Sequence, residues 1–291
     1  MILVTGATGN LGKATIDFLL KKAPAPENII ALVRDAAKAT DLEASGVIVR
    51  IGNYDNYASL VTAFTGVDKL LLVSGTDLHS RTKQQLNAVN AAKEAGVKHI
   101  LYTSFERKNE TVTSPISFVA DSHIKTEKAI VESGLKYTLF RNNLYFDVLP
   151  MFLGENVLET GIFFPAGEGQ TAFTLRNDIA EAIANVLLSD GHENKSYFIS
   201  NTESITITEA ASVLSELSGK TIAYNSPTSE AYTELLSNAG VPSEYVQMFA
   251  GFAEAIKQGE FASDKTDLEE LLGRKPIAIK EYLAQAYGLK K

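Results

Sequence analysis

No cysteine occurs anywhere in the 291 residues, so neither a disulfide nor thiolate chemistry can belong to this protein. Basic residues are in short supply: 27 Lys and Arg stand against 35 Asp and Glu, a net charge of −8. That balance argues against nucleic acid or an anionic membrane as a partner, since both need a basic face, yet it leaves room for a local basic pocket on a phosphate. No apolar run approaches the roughly 18 residues of a membrane span. The amino-terminal residues also lack the basic, apolar and small-residue series of a signal peptide. A soluble protein of the reducing cytoplasm is expected. The four histidines, His79, His99, His123 and His192, are scattered without paired-ligand spacing, so no metal centre is expected. No G-x-S-x-G serves a hydrolase, and Lys13 stands at the wrong distance from the glycines for a P-loop.

What is present is an alternation. A chain that is 45% hydrophobic and 21% charged is ordinary for a globular protein, and its length allows a large domain with a smaller companion. Strands are predicted at 2–5, 29–33, 47–51, 69–74, 99–104 and 137–141, with amphipathic helices at 11–22, 57–64, 81–95 and 122–133 between them. Strands that are apolar throughout, alternating with helices, mark a parallel sheet covered on both faces. The fold class is therefore α/β, a doubly wound parallel sheet of Rossmann type. After Arg141 the regularity breaks. The stretch "FFPAGEGQ" (163–170) reads as a loop, a helix at 177–189 and a strand at 196–200 could return to the sheet, and the remainder is mainly helical. Residues 1–150 are expected to bind the dinucleotide, with 176–202 rejoining their sheet. Residues 151–291 should form a smaller substrate-side domain at the sheet's open end, where doubly wound folds hold ligands.

The first strand runs into Gly6-Ala7-Thr8-Gly9-Asn10-Leu11-Gly12 and then a helix. Glycine permits a tight turn and lets a diphosphate approach backbone N–H groups, while the helix adds unpaired amides and the positive end of its dipole. Thr8 could add a hydroxyl. The spacing G-x-x-G-x-x-G is one residue longer at its first interval than the usual dinucleotide fingerprint, so its value comes from the strand-turn-helix context. At the end of the second strand, "ALVRDAAK" places Arg34 where a guanidinium can clamp a 2′-phosphate, with Lys38 one turn on. This favours NADP(H) over NAD(H). Asp35 is either a helix cap or a ribose acceptor.

With these stretches in view, the chain resembles the NmrA-like group of atypical short-chain dehydrogenases/reductases, and within it the bacterial type-2 NAD(P)H:quinone oxidoreductases. The resemblance is carried by "VTGATGNLG" (4–12), "ALVRDAAKA" (31–39), "GNYDNYASL" (52–60) and "KLLLVSG" (69–75). It continues through "AAKEAGVKHILYTS" (91–104), "DSHIKTEKAIVESGLKYTLFRNNLY" (121–145) and "DLEELLGRKP" (267–276). It implies that Gly6, Thr8, Gly9, Asn10 and Leu11 wrap the diphosphate and that Arg34 holds the 2′-phosphate. Asn53 and Tyr54 would flank adenine, although the group often has Asp where this chain has Asn53. Ser74, Gly75, Thr103 and Ser104 would lie along the nicotinamide-side ribose.

One departure narrows the chemistry. Ordinary short-chain dehydrogenases carry Tyr-x-x-x-Lys on the helix after the fifth strand, with the tyrosine moving the proton. Here the group's alignment puts His123 at the lysine position and Val119 at the tyrosine position, and a shifted alignment on Lys128 leaves Ile124. No tyrosine is available on either alignment. Reducing a ketone needs an acid, whereas solvent can protonate a reduced quinone, so positioning the two rings is expected to supply most of the acceleration. His123 could bind ribose, donate a proton near neutral pH, or simply be a solvated helix residue. Asn142, Asn143 and Tyr145 could bond a carboxamide or quinone oxygen, Phe146 and Phe164 could stack on a ring, and the stretch 250–261 could form a lid, unless all of these serve packing. Asp178 is expected to cap a helix. The leading expectation is an NADPH-dependent reductase passing hydride to a small quinone-like acceptor with no flavin. The alternatives are a non-catalytic sensor of the NADP(H) pool and a reductase of azo or triphenylmethane dyes. Whether it forms a homodimer is left open.

Overall fold

The computed structural model describes residues 1–23, 25–77, 79–154 and 156–290. The first body alternates β1 (Ile2–Val4), α1 (Asn10–Lys22), β2 (Ile29–Val33), α2 (Thr40–Ala44), β3 (Ile48–Ile51), α3 (Tyr57–Phe64) and β4 (Lys69–Leu72). It continues with α4 (Arg81–Glu94), β5 (His99–Phe105), α5 (Ser117–Ser133) and β6 (Lys136–Asn142). Beyond it come α6 (Leu149–Leu153), α7 (Val157–Thr160), β7 (Ile162–Phe163), α8 (Arg176–Leu188) and β8 (Lys195–Ile199). The chain then runs through α9 (Ile207–Ser218), β9 (Tyr224–Asn225), α10 (Ser229–Asn238), α11 (Ser243–Lys257), α12 (Leu268–Leu272) and α13 (Ile279–Ala286).

Seven strands form one parallel sheet in the order β3-β2-β1-β4-β5-β6-β8, so the doubly wound sheet read from the sequence is the observed one. Leu3, Ile30, Leu70 and Ile100 point to the face covered by α3, α4 and α5, and Val4, Ala31, Leu71 and Leu101 point to the face covered by α1 and α8. This two-sided burial is why the strands carry no polar alternation. A third core, rich in phenylalanine, lies under the short β7–β9 ribbon and the later helices. Strand order reverses at β1, with β2 on one side and β4 on the other, and such a switch point opens a crevice at the strands' carboxyl ends. Thr5 ties that crevice together: its hydroxyl donates to the Leu71 carbonyl at 3.1 Å and accepts from the Val73 amide at 2.8 Å.

Helix α5 starts at Ser117, five residues before the expected Ser122. Ser122 has the look of an N-cap, but its hydroxyl donates back to the Val119 carbonyl at 2.9 Å, a bond compatible with a helix interior. Val119 and Ala120 extend the apolar face of the helix toward the core.

Asp178 does not cap α8, which begins at Arg176 after Leu175. Its buried carboxylate instead accepts from the Arg274 guanidinium at 2.7 Å and from the Ile277 amide at 2.8 Å, clasping the "GRKP" segment to α8. A first-turn acid can serve either purpose, and the sequence alone cannot tell a local amide from a distant one. The stretch 250–261 is no free lid. Gly251 in α11 lies so close to Pro115 that an added Cβ would meet its carbonyl oxygen at 2.8 Å, and Phe252 packs against Phe118, Phe152 and Phe261.

The tightest backbone approach in the first, sheet-forming body is at Gly12, where a Cβ would fall 2.3 Å from the Gly6 carbonyl oxygen. Gly12→Ala should therefore lower stability by at least about 2 kcal/mol in denaturant unfolding, since only backbone could give way. Unchanged stability would show that the turn can open.

Candidate active site

The glycine turn follows β1 at the switch point. Gly6 has φ +59°, which a side chain rarely adopts, and the Gly9 amide closes the turn onto the Gly6 carbonyl at 2.9 Å. Thr8, Gly9 and Asn10 are exposed at the amino end of α1, whose N-cap, Gly9, has no side chain to occupy the first amides. They line a cleft of about 530 Å³ with Lys13, Ala14, Asp17, Asp147, Arg176, Asn177 and Tyr282. Leu11 is buried beneath the turn, so only its backbone is offered there. The sequence reading missed the far wall, Asp147, Arg176, Asn177 and Tyr282, because these residues come from helices far along the chain. The one local signal was Arg176 at the start of a predicted helix.

Arg34 follows β2 and is exposed, with no ion pair or hydrogen bond to any described residue. Asp35 is committed to the turn after it, accepting from the Ala37 amide at 3.0 Å, which answers the cap-or-ribose question in favour of the cap. An unpaired guanidinium beside the crevice suits a phosphate. Tyr54 leans across toward the carboxyl end of β4, donating to the Val73 carbonyl at 3.2 Å, and burial pushes its phenol up. Asn53 is exposed and its side-chain oxygen accepts from the Asp55 amide at 3.1 Å. The Ser74 amide donates to the Thr103 hydroxyl at 2.8 Å, and the Gly75 amide to Gln85 at 3.3 Å, so the ends of β4 and β5 form one shelf.

Below that shelf lies a charged cluster. Ser104 donates a hydrogen bond to Glu127, which also pairs with Arg107 at 3.1 Å and Arg141 at 2.8 Å. Burial opposes ionisation of Glu127, but the two guanidinium groups outweigh it and hold its pKa down to about 2. The hydroxyl proton of Ser104 is thus committed to Glu127.

His123 is buried, not solvated: its Nδ1 lies 2.8 Å from the Tyr102 hydroxyl, and its ring stacks on Phe105 with centroids 5.7 Å apart. Burial, then the positive charges of Arg81 and Arg107, lower its pKa to about 3. It is therefore neutral near pH 7, a correction to the expectation of a proton donor titrating there. Lys128 is exposed and pairs with Glu132, which removes the shifted alignment from the site.

At the end of β6, Asn142 is buried and donates to the Tyr145 hydroxyl at 3.3 Å, while its Oδ1 has no partner. Tyr145 is half-buried under the Arg176 guanidinium, 5.1 Å from the ring centroid. Asn143 is a different matter. Its amide donates to Glu106 at 2.9 Å and the Phe261 carbonyl at 3.0 Å, so it is a structural joint and not a ligand group. Phe146 and Phe164 also leave the site: both are buried in the third core, stacked on Tyr282 and Phe152 with centroids 4.8 and 4.9 Å apart. Aromatic residues near a strand end look alike in sequence whether they face a ligand or a core.

A strand, glycine turn and helix at the switch point of a parallel sheet define a dinucleotide-binding α/β protein of the Rossmann class. The model of the NmrA-like family matches residues 1–283, and the chain belongs to that family. It is 37% identical over 290 residues to quinone oxidoreductase 2 of Escherichia coli, covering 99% of both chains. Among solved structures, the Citrobacter sp. triphenylmethane reductase complexed with NADP(H) superposes with a TM-score of 0.90 at 40% identity, covering 98% of this chain and 100% of that one. An Escherichia coli NADPH-dependent quinone oxidoreductase complexed with NADPH gives a TM-score of 0.90 at 36% identity, covering 99% and 100%. Among the described residues no cluster of His, Asp and Glu could hold a metal ion, and no helix is long and apolar enough to cross a membrane.

Two outcomes can be measured. Arg34→Ala should weaken NADPH binding about 10- to 100-fold by calorimetry and NADH little, the loss of one charge-assisted phosphate contact. Glu127 is depressed in the folded state, so its contribution is full above its unfolded value and is lost as pH falls from about 5 toward about 2. Glu127→Gln should lower Tm at pH 7 and flatten the acid side of the Tm–pH curve.

Proposed function

We propose that this protein is an NADPH-dependent oxidoreductase that reduces a quinone or a similar conjugated acceptor directly, without a flavin. The observation that carries this reading is what α5 does not offer the cleft. Val119 stands where ordinary short-chain dehydrogenases carry their tyrosine, and both lysines of the helix, Lys125 and Lys128, are exposed and paired with Asp121 and Glu132. A ketone bound there would find no acid of matched pKa. A quinone needs less, because its reduced oxygen is a stable phenolate that water can protonate.

The residues fit the coenzyme. Thr8 and Asn10, exposed at the turn, carry backbone amides that suit a diphosphate, Arg34 is free for a 2′-phosphate, and Asn53 and Tyr54 flank the space for adenine. Ser74, Gly75 and Thr103 form the shelf for the second ribose. The unpartnered Oδ1 of Asn142 is the acceptor a carboxamide N–H₂ requires, and a buried acceptor left without one costs about 1–3 kcal/mol. The hydroxyl proton of Tyr145 has no acceptor among the described residues and can reach an oxygen of carboxamide or acceptor. Bound coenzyme would supply the hydride. The protein's part is to hold two rings in register and keep a neutral His123 beside them.

The sensor alternative loses ground, because a relative matching nearly the whole chain is an oxidoreductase by name. Reduction of a triphenylmethane dye remains a second reading, favoured by the 40% identity to a reductase of that class. A cytoplasmic setting, with its NADPH supply, suits both.

Purified protein with NADPH and a panel of small quinones should oxidise NADPH stoichiometrically, with no flavin absorbance and with NADH a poorer donor. A triphenylmethane dye belongs in the same panel. No enzyme-dependent oxidation with any acceptor would return the protein to the sensor class.

A further inference from the structure

The proton relay of ordinary short-chain dehydrogenases is missing from α5, yet a phenol does approach the site from another element. Tyr102, fully buried on β5, sits behind His123 and not in the cleft, with its hydroxyl 2.8 Å from Nδ1. The direction of this hydrogen bond follows from what surrounds it. Thr126, a neighbouring hydroxyl, already donates to the Ser122 carbonyl at 2.7 Å and accepts from Gln85 Nε2 at 2.8 Å. The other end of Gln85 accepts from the Gly75 amide. Nδ1 is the one acceptor that hydrogen-bonds Tyr102 among the described residues, so the phenol proton goes there and the imidazole carries its own proton on Nε2.

Nε2 makes no hydrogen bond to the described residues, and it is not among the sealed polar atoms that lack one, so it keeps access to solvent. The Phe105 ring behind the imidazole limits its rotation. The charged groups facing it are Arg81 at the start of α4, Arg107 after β5 and Glu127 one turn along α5. Arg81 is buried with only backbone acceptors, Val119 at 2.9 Å and Gly75 at 3.5 Å, and no carboxylate beside it. Glu127 is already bound by Arg107 and Arg141. The net field therefore opposes a second proton on the ring.

We propose that Tyr102 is a positioning residue for hydride transfer, fixing His123 as the neutral Nε2–H tautomer so that it donates a hydrogen bond to the acceptor oxygen as charge develops there. This deepens the reductase reading and rests on it. No proton is transferred from His123; the proton that ends on the product oxygen comes from water. A neutral donor held in place stabilises a growing phenolate across a wide pH range, whereas an imidazolium would be lost as pH rises.

The test has an arm that needs no turnover. Proton–nitrogen correlation spectra of the imidazoles, assigned with a His123→Gln variant, should show a protonated Nε2 and an unprotonated Nδ1 for His123, unchanged between about pH 5 and 9, whereas an ordinary histidine titrates near 6.5. Tyr102→Phe should move the ring toward a mixture of tautomers. In that variant kcat with a quinone should fall about 3- to 10-fold, the size of one neutral hydrogen bond, with Kd for NADPH unchanged. An Nδ1–H tautomer in the wild type, a His123 that titrates near neutrality, or a Tyr102→Phe enzyme of unaltered kcat would each overturn the proposal. Wild-type protein that fails to oxidise NADPH with every acceptor of the panel would sink the reductase reading instead, and the spectra would still report the tautomer.

Discussion

Two backbones in contact govern the rest of this molecule. Gly12 lets the first turn of α1 sit directly on the Gly6 carbonyl, leaving no room for a side chain between helix and turn. That approach aims the first amides of α1 out of the sheet, at the point where β2 and β4 diverge from β1. The sheet's stability comes from apolar burial on its two faces, but burial alone does not select the crevice. Selection comes from strand order and from a turn too tight for anything except glycine.

The second organising feature is electrostatic. A chain with a net charge of −8 keeps guanidinium groups near its cleft in three different states. Arg34 is unpaired and exposed, Arg107 and Arg141 are locked on Glu127, and Arg81 is buried against carbonyls. Only the first is free to meet an anion directly. The pair on Glu127 braces β5, α5 and β6, and the buried one biases a neighbouring ring. Overall charge therefore says little about what a site can hold, because position decides whether a cation is a ligand, a brace or a source of field.

The sheet was legible because its strands are fully apolar and its helices amphipathic, patterns that need only near neighbours. The glycine turn was legible for the same reason: Gly6 to Gly12 is a local device at a strand end, as is Arg34 after β2. What escaped was everything set by distant partners. Asp178 looked like a cap until Arg274 and the Ile277 amide met it. Asn143 was indistinguishable from Asn142 by sequence, yet Glu106 and Phe261 claim one and leave an atom of the other free. His123 looked like a ribose or proton-donor candidate, with a solvated helix face as the alternative, and only the packing of Tyr102 and Phe105 shows it to be enclosed.

The cleft at the switch point is lined by Thr8 from the glycine turn and by Tyr282 from α13, and α8 between them is clasped to the segment at Arg274. The two walls lie far apart in the sequence, so loosening the Arg274 clasp on α8 would splay the cleft from the side away from the glycine turn.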